Sequence, residues 1–343
     1  MNELVVAALK AVLVFGGLLA TAALMSLAER KVSAWMQYRI GPNRVGPFGL
    51  LQPLADGVKF IFKEEVVPAG ANRVLFRLAP AIAALPAMMT IAVIPFAGEV
   101  VLFGKGYGPL SVADLDIGIL YLLAIGSLGV YGVILGGWAS NSKYSLLGAL
   151  RASAQMISYE LTLILAILSV IVLAGSLDLR RISEAQATVG AWHLWRQPLA
   201  FLLFVIATFA ETNRHPFDFA ECEPELVGGF HTEYSSMKFA LFFLGEYTAM
   251  IVMSGLMTTL FLGGWSLFGL ERAYDGTIWQ TLIQTGIWWG KTMSFLVLFI
   301  WIRWTLPRFR YDQLMRLGWK VLLPFSLANL LMAAWMRTWG IGG

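Results

Sequence analysis

The sequence predicts an all-α integral membrane protein with about eight transmembrane helices. Hydrophobic residues make up 58% of the chain and charged residues only 13%, whereas soluble domains carry about 25% charged residues. A bilayer core requires roughly 20 apolar residues per helical span. Such segments recur along one transmembrane domain covering residues 1–343, and we predict spans at residues 5–27, 75–97, 115–137, 155–174, 199–213, 238–263, 286–304 and 321–339.

The distribution of basic residues predicts the orientation of these spans. Seventeen of the 25 Lys and Arg residues fall in the connections after spans 1, 3, 5 and 7 or at the adjoining ends of the spans, and short basic connections stay on the cytoplasmic side. Both termini are therefore predicted to lie on the outer side. The first apolar stretch is longer than the core of a secretory signal and follows Glu3 rather than a basic cluster, so we interpret it as a retained helix.

The first inner connection, residues 29–71, combines a turn-rich half with a predicted surface helix. Two Gly-Pro pairs within residues 41–47 exclude a helix there, and Pro53 suits an early helical position. Beyond it, one side carries Leu51, Leu54, Val58, Ile61 and Phe62, and the other carries Gln52, Asp56, Lys59 and Lys63. This spacing is typical of an amphipathic helix along the membrane surface. It is either an interfacial strut or the floor of a lipid-accessible pocket.

The connection at residues 211–237 is unusually acidic. Five carboxylates occur within fifteen residues, and Glu221, Glu223 and Glu225 are crowded around Pro224. Like charges held so close raise one another's pKa and titrate as a set. Interleaved aromatic and aliphatic residues favour partial burial and a proton carrier. The alternative is a solvated acidic loop held by Arg214.

Two carboxylates are predicted inside the membrane. Glu160 follows the start of span 4, and Glu246 lies eight residues inside span 6. An ionisable residue at such a depth is a functional candidate because its uncompensated cost is roughly 2.5 kcal/mol or more. The alternative is a structural ion pair, which is a stronger alternative for Glu29 beside Arg30.

The last inner connection, residues 303–320, is basic. It is predicted to bind lipid phosphates or an acidic partner. The chain has one cysteine and three histidines, too few ligands for an iron–sulfur cluster, a haem pair or a structural zinc site. We find no phosphate-binding loop or dinucleotide fingerprint, and expect no nucleic-acid partner.

Eight motifs across residues 29–320 resemble the H-type, or subunit-1-type, membrane subunit of respiratory complex I, the proton-pumping NADH:quinone oxidoreductase. The turn-rich stretch at 39–56 and the acidic stretch at 221–234 are each specific. The motifs are 29–31 (ERK), 39–56 (RIGPNRVGPFGLLQPLAD), 138–151 (WASNSKYSLLGALR), 155–160 (QMISYE), 214–218 (RHPFD), 221–234 (ECEPELVGGFHTEY), 245–247 (GEY) and 307–314 (PRFRYDQL).

The resemblance implies a function in the bacterial inner (plasma) membrane. Such subunits carry no redox centre and, with hydrophilic neighbours, form the chamber in which quinone accepts electrons. FMN and iron–sulfur clusters would lie in partner subunits, and quinone would be the substrate. The other partners implied are small membrane-arm subunits and lipids.

The resemblance also implies roles for individual residues. The proton path would start from Glu160, Glu211, Glu221, Glu223, Glu225 and Glu246. The candidates near the quinone path are Arg30, Asp56, Lys59, Phe230 and Glu233. Two alternatives remain open from the residues: a stand-alone transporter, which the absence of internal repeats disfavours, and a membrane-bound hydrogenase, whose nickel–iron partner would reveal it.

Overall fold

The protein is a helical bundle in a computed structural model that describes residues 3–102, 105–187, 192–219, 226–269 and 277–340. Its helices are α1 Glu3–Met36, α2 Gln52–Phe62, α3 Arg73–Met89, α4 Gly118–Ala139, α5 Lys143–Ala174, α6 Leu179–Ala185, α7 His193–Arg196, α8 Pro198–Glu211, α9 Ser236–Phe261, α10 Ile278–Thr305, α11 Tyr311–Arg316 and α12 Leu323–Thr338. Short 3₁₀ helices occupy Pro47–Gly49, Thr90–Val93 and Gly229–His231, and a π-helix, Leu317–Leu322, joins α11 to α12. Strands β1 (Val101–Leu102) and β2 (Lys105–Gly106) form an antiparallel pair.

Seven helical segments in the described ranges are long and apolar enough to cross a membrane, which makes this a multi-pass membrane protein. They are Leu4–Met36, Arg73–Val93, Gly118–Ala139, Lys143–Ala174, Ser236–Phe261, Ile278–Thr305 and Tyr311–Thr338. The predicted fifth span corresponds to α8, which has 14 residues. At 1.5 Å per residue that is roughly 21 Å, shorter than the hydrocarbon core of about 30 Å.

Helix α8 lies inside the bundle, antiparallel to α5. Near its first residue, the Ser169 hydroxyl donates to Gln197 Oε1 at 3.0 Å. Near its last residue, Gln155 Nε2 donates to the carbonyl of Ala210 at 2.9 Å. Phe204, between these contacts, is fully buried. A short helix can occupy this position because neighbouring side chains satisfy its terminal groups.

The start of α1 and the end of α12 lie at the same end of the bundle. Lys10 Nζ donates to the carbonyl of Tyr107, before α4, at 2.8 Å. Arg337 Nη1 donates to the carbonyl of Leu173, near the end of α5, at 2.8 Å. A main-chain hydrogen bond joins the residues just after α5 to the start of α4. We call this the terminal end of the bundle, and the other the opposite end.

Several helices extend beyond the spans predicted from hydropathy. Helix α1 continues to Met36 rather than residue 27, α5 begins at Lys143 rather than 155, and α10 begins at Ile278 rather than 286. A hydropathy window stops where charged or polar residues accumulate, but the helix continues wherever its backbone bonds are satisfied. Helix α10 ends at Thr305, two residues before Pro307, because a proline disfavours helical conformation in the residue before it.

Candidate functional site

A buried ion cluster occupies the opposite end of the bundle, around Glu29 of α1. Arg214 Nη1 lies 3.3 Å from each Glu29 carboxylate oxygen, and the Tyr247 hydroxyl donates to Glu29 Oε2 at 2.6 Å. Arg303 of α10 also pairs with Glu29. Glu29 is only 7% exposed. Glu29 therefore forms ion pairs with Arg214 and Arg303 rather than with its neighbour Arg30, and the cluster ties α1, α9 and α10 to the segment after α8.

Arg214 has more hydrogen-bond donors than the carboxylate of Glu29 contacts. Its side chain is 8% exposed and its guanidinium lies 4.5 Å from the centre of the Tyr247 ring. Burial lowers the pKa of Arg214, but the carboxylate charges of Glu29 and Glu246 raise it above the usual value. Its Nε and Nη2 atoms have no hydrogen-bond partner among the described residues. The guanidinium is thus a permanent positive charge between Glu29 and Glu246.

A cavity beside this cluster contains two of the carboxylates predicted for the proton path. Glu211, at the end of α8, and Glu246, in α9, both line this space of about 100 Å³. Thr212 and Asn213 also line it. Glu211 Oε2 is buried and has no hydrogen-bond partner in the part of the chain that the structure describes. The cavity can therefore hold water between two titratable groups from different helices.

Glu160, the third predicted carboxylate in the described residues, is half-buried in α5 and lies close enough to Glu211 for their charges to interact. The remaining three predicted carboxylates, Glu221, Glu223 and Glu225, lie outside the described residues. Their crowding around Pro224 stays a prediction.

The segment between α8 and these three glutamates is held by an ion pair. Arg308 Nη2 lies 2.9 Å from Asp218 Oδ2. Burial lowers the pKa of the nearby His215, and the positive charges of Arg308 and Arg303 lower it further. His215 is therefore neutral near pH 7.

Three of the five quinone candidates meet where α1 faces α2. Arg30 Nη1 lies 2.7 Å from Asp56 Oδ2, and Lys59 Nζ lies 3.8 Å from Asp56 Oδ1. Gln52 Nε2 donates to Asp56 Oδ1 at 3.3 Å. The apolar residues of α2 point away from the bundle, with Leu54, Val58, Ile61 and Phe62 all exposed.

The other two quinone candidates lie elsewhere. Phe230 is buried, packs against Phe242 with ring centroids 5.1 Å apart, and lines the same cavity as Glu211 and Glu246. Glu233 is half-buried in the short segment before α9. The ion pairs and side-chain hydrogen bonds found for Arg30 and Asp56 in the described part of the chain do not include Glu233.

The α2 region is attached to the helix that carries Glu246. The Ser236 hydroxyl, at the start of α9, donates to the carbonyl of Phe60 at 2.8 Å. The amide of Val66 donates to Ser235 Oγ at 3.1 Å, and Lys238 pairs with Glu65. Helix α9 therefore connects the quinone candidates on α2 with Glu246, one of the two cavity carboxylates.

The basic connection is partly used inside the chain. Arg303 pairs with Glu29 and Arg308 with Asp218, so neither is simply a surface charge available to lipid phosphates. The partners of Glu29 were not identified as a cluster from the sequence, because Arg214, Tyr247 and Arg303 lie 185, 218 and 274 residues away from it. Among the described residues, no three His, Cys, Asp or Glu side chains form a metal-binding group.

Comparison with known proteins identifies the family. The profile of a family described as NADH dehydrogenase matches residues 9–334. An H-type subunit of NADH-quinone oxidoreductase from Geobacter metallireducens is 54% identical over 328 residues, covering 95% of each chain. NADH-quinone oxidoreductase subunit 8 of Rhodothermus marinus is 51% identical, covering 95% of this chain and 96% of its own. The H-type subunit from Thermomicrobium roseum is 50% identical, covering 99% and 98%. With the whole bundle included in these matches, the chain belongs to the NADH dehydrogenase family.

Proposed function

We propose that this chain is a membrane subunit of the bacterial NADH:quinone oxidoreductase, respiratory complex I. It carries no redox centre, forms part of the quinone chamber, and couples quinone reduction to proton translocation through buried carboxylates. The names of relatives about 50% identical over nearly the whole chain support the enzyme. The observation that carries the coupling is the cavity lined by both Glu211 and Glu246.

The proposed topology has eight crossings, with α8 as the fifth and both termini on the periplasmic side. The antiparallel contacts of α8 with α5 support a crossing by this short helix. Most of the α8 surface is covered by protein, although Leu202 is exposed, so the helix does not need to match the full bilayer thickness by itself. The excess of Lys and Arg after spans 1, 3, 5 and 7 supports the orientation.

In the proposed chamber, α2 lies along the membrane surface with its apolar side toward lipid. Quinone is the substrate, and its long apolar tail would pass along exposed residues such as Val58 and Ile61. Arg30, Asp56 and Lys59 would line the path as one ion cluster, with Phe230 and Glu233 further along it. Hydrophilic partner subunits, which would carry FMN and iron–sulfur clusters, would dock on this face.

In the proposed proton path, Glu221, Glu223 and Glu225 exchange protons as quinone chemistry changes the charge beside them. Glu211, Glu160 and Glu246 carry the protons onward into the membrane arm. Arg214 supports this sequence because its fixed positive charge acts on both Glu29 and Glu246. A change in charge near Glu29 would therefore alter the free energy of binding a proton at Glu246.

The identity is tested by purifying the native assembly through a tag on this chain. We expect co-purifying subunits with flavin and iron–sulfur absorption, together with NADH oxidation by quinone. Recovery of the chain alone with transport activity would favour a stand-alone transporter. A nickel–iron partner without quinone reduction would favour a membrane-bound hydrogenase.

A further inference from the structure

A polar pocket and an apolar groove adjoin at the terminal end of the bundle. The pocket has a volume of about 450 Å³ and is lined by Lys10, Ser111, Asp114 and the stretch from Gly106 to Pro109. The groove has a volume of about 540 Å³ and runs between α1 and α10. Val6 and Lys10 line both. The two spaces therefore form one continuous site that is polar at one end and apolar along the rest.

Two glycines open the groove. Gly17 of α1 and Gly286 of α10 line it, and a Cβ atom added at either position would meet no atom of the described residues within 4 Å. Its walls include Leu13, 58% exposed, and Leu282, 55% exposed. Both helices are long and apolar enough to cross a membrane, so the groove between them lies at the depth of the hydrocarbon. An acyl chain is the occupant whose chemistry matches an apolar groove in this position.

The pocket presents one charge of each sign. Lys10 Nζ donates to the carbonyls of Tyr107 at 2.8 Å and Pro109 at 2.6 Å. An ammonium has three donors, so one remains for a ligand. Asp114 is half exposed, and its Oδ2 atom lies 3.7 Å from Arg180 Nη1. The charge of Asp114 also acts on Lys10, so the two opposite charges lie close enough for one ligand to contact both. This arrangement complements a zwitterion.

We infer that the pocket and groove together bind one phospholipid of the phosphatidylethanolamine class. The phosphate would accept from Lys10, the ammonium would donate to Asp114, and one acyl chain would fill the groove. A phosphatidylglycerol headgroup has no cation for Asp114, and a choline headgroup has no N–H to donate to it. The pocket should therefore prefer phosphatidylethanolamine over both. This inference does not depend on the proton path.

The experiment compares four glycine variants in the purified assembly. Gly17→Phe and Gly286→Phe place a ring in the groove. Gly16→Phe and Gly290→Phe are matched controls, because both positions are equally open but do not line the groove. We expect native mass spectrometry to find one phosphatidylethanolamine fewer in each groove variant and the parent number in each control. Equal lipid retention in all four variants would overturn the inference.

A photo-crosslinking residue in place of Leu13 identifies the occupant directly, even where a Phe variant assembles poorly. A crosslink to phosphatidylethanolamine is expected. A crosslink to a helix of another subunit, or to residues 270–276 of this chain, would overturn the inference. In lipid exchange, Asp114→Asn should reduce the preference for phosphatidylethanolamine over phosphatidylglycerol, because Asp114 is the group assigned to the ammonium and both lipids carry the phosphate assigned to Lys10. An unchanged preference would contradict the assigned headgroup contacts.

Discussion

The guanidinium of Arg214 lies 3.3 Å from the carboxylate of Glu29, and the pair is buried between four segments of the bundle. Replacing Glu29 by Gln would leave two arginines facing each other without their shared counter-charge. We expect a loss of stability on the order of 3 kcal/mol and less assembled complex. The measurement is the thermal midpoint and yield of the purified assembly.

The matched control for this ion pair is Asp116→Asn. Asp116 pairs with Arg181 at 3.6 Å on an exposed surface, where such pairs contribute about 0–1 kcal/mol. Equal thermal midpoints for Glu29→Gln and Asp116→Asn would show that the buried cluster does not hold the bundle together.

A second prediction concerns the exposed side of α2. Changing Val58 or Ile61 to Lys should raise the KM for quinone about tenfold, equivalent to roughly 1.4 kcal/mol, because the charge would face the acyl boundary. Reduction of a water-soluble acceptor should stay near the parent rate. Val66→Lys is the control, since Val66 is exposed just beyond the helix. An unchanged KM in both helix variants would argue against α2 as the quinone entrance.

A third prediction concerns Arg44, which is exposed in the turn-rich stretch before α2. Changing Arg44 to Glu should loosen the hydrophilic arm, because the charge offered to the docking partner is reversed. Flavin content per membrane subunit should fall after purification, most strongly at high salt. Arg44→Lys should retain the arm. If Arg44→Glu retained its full flavin content, the hydrophilic arm would have to dock on another surface of the chain.

Local features of the fold followed from the sequence. The start of α2 beside Pro53 and the end of α10 before Pro307 both depend on proline geometry within a few residues. The number of spans was harder to predict. Helix α8 is too short to meet a hydropathy criterion by itself, and its place depends on tertiary contacts with α5.

The site was predictable in part. Glu246 was singled out by its predicted depth in the membrane and Glu211 by the family resemblance, and the structure brings them to one cavity. Phe230 was proposed for the quinone path but lines that same cavity. The partners of Glu29 come from distant segments. No local sequence pattern predicts these contacts, because the packing of the helices determines which charged side chains lie together in the interior.

A fourth prediction concerns the acidic stretch. Changing Glu221, Glu223 and Glu225 together to Gln keeps nearly the same volume and removes only the titration. Assembly should persist while quinone reduction and proton pumping fall together. If the two reactions are tightly coupled, neither proceeds when the carboxylates that supply protons cannot titrate. A triple variant that pumped at the parent rate would reduce the stretch to a solvated surface.

The central claim is that buried carboxylates couple quinone reduction to proton translocation. Its most direct test is Glu211→Gln and Glu246→Gln, singly and together, in the assembled complex reconstituted into vesicles. Quinone reduction and proton pumping should each fall at least about tenfold, roughly 1.4 kcal/mol of barrier, while electron transfer from NADH to an upstream artificial acceptor stays normal. Glu99→Gln, at an exposed loop position, should change neither activity. Parent rates of quinone reduction and pumping in the double variant would contradict the account.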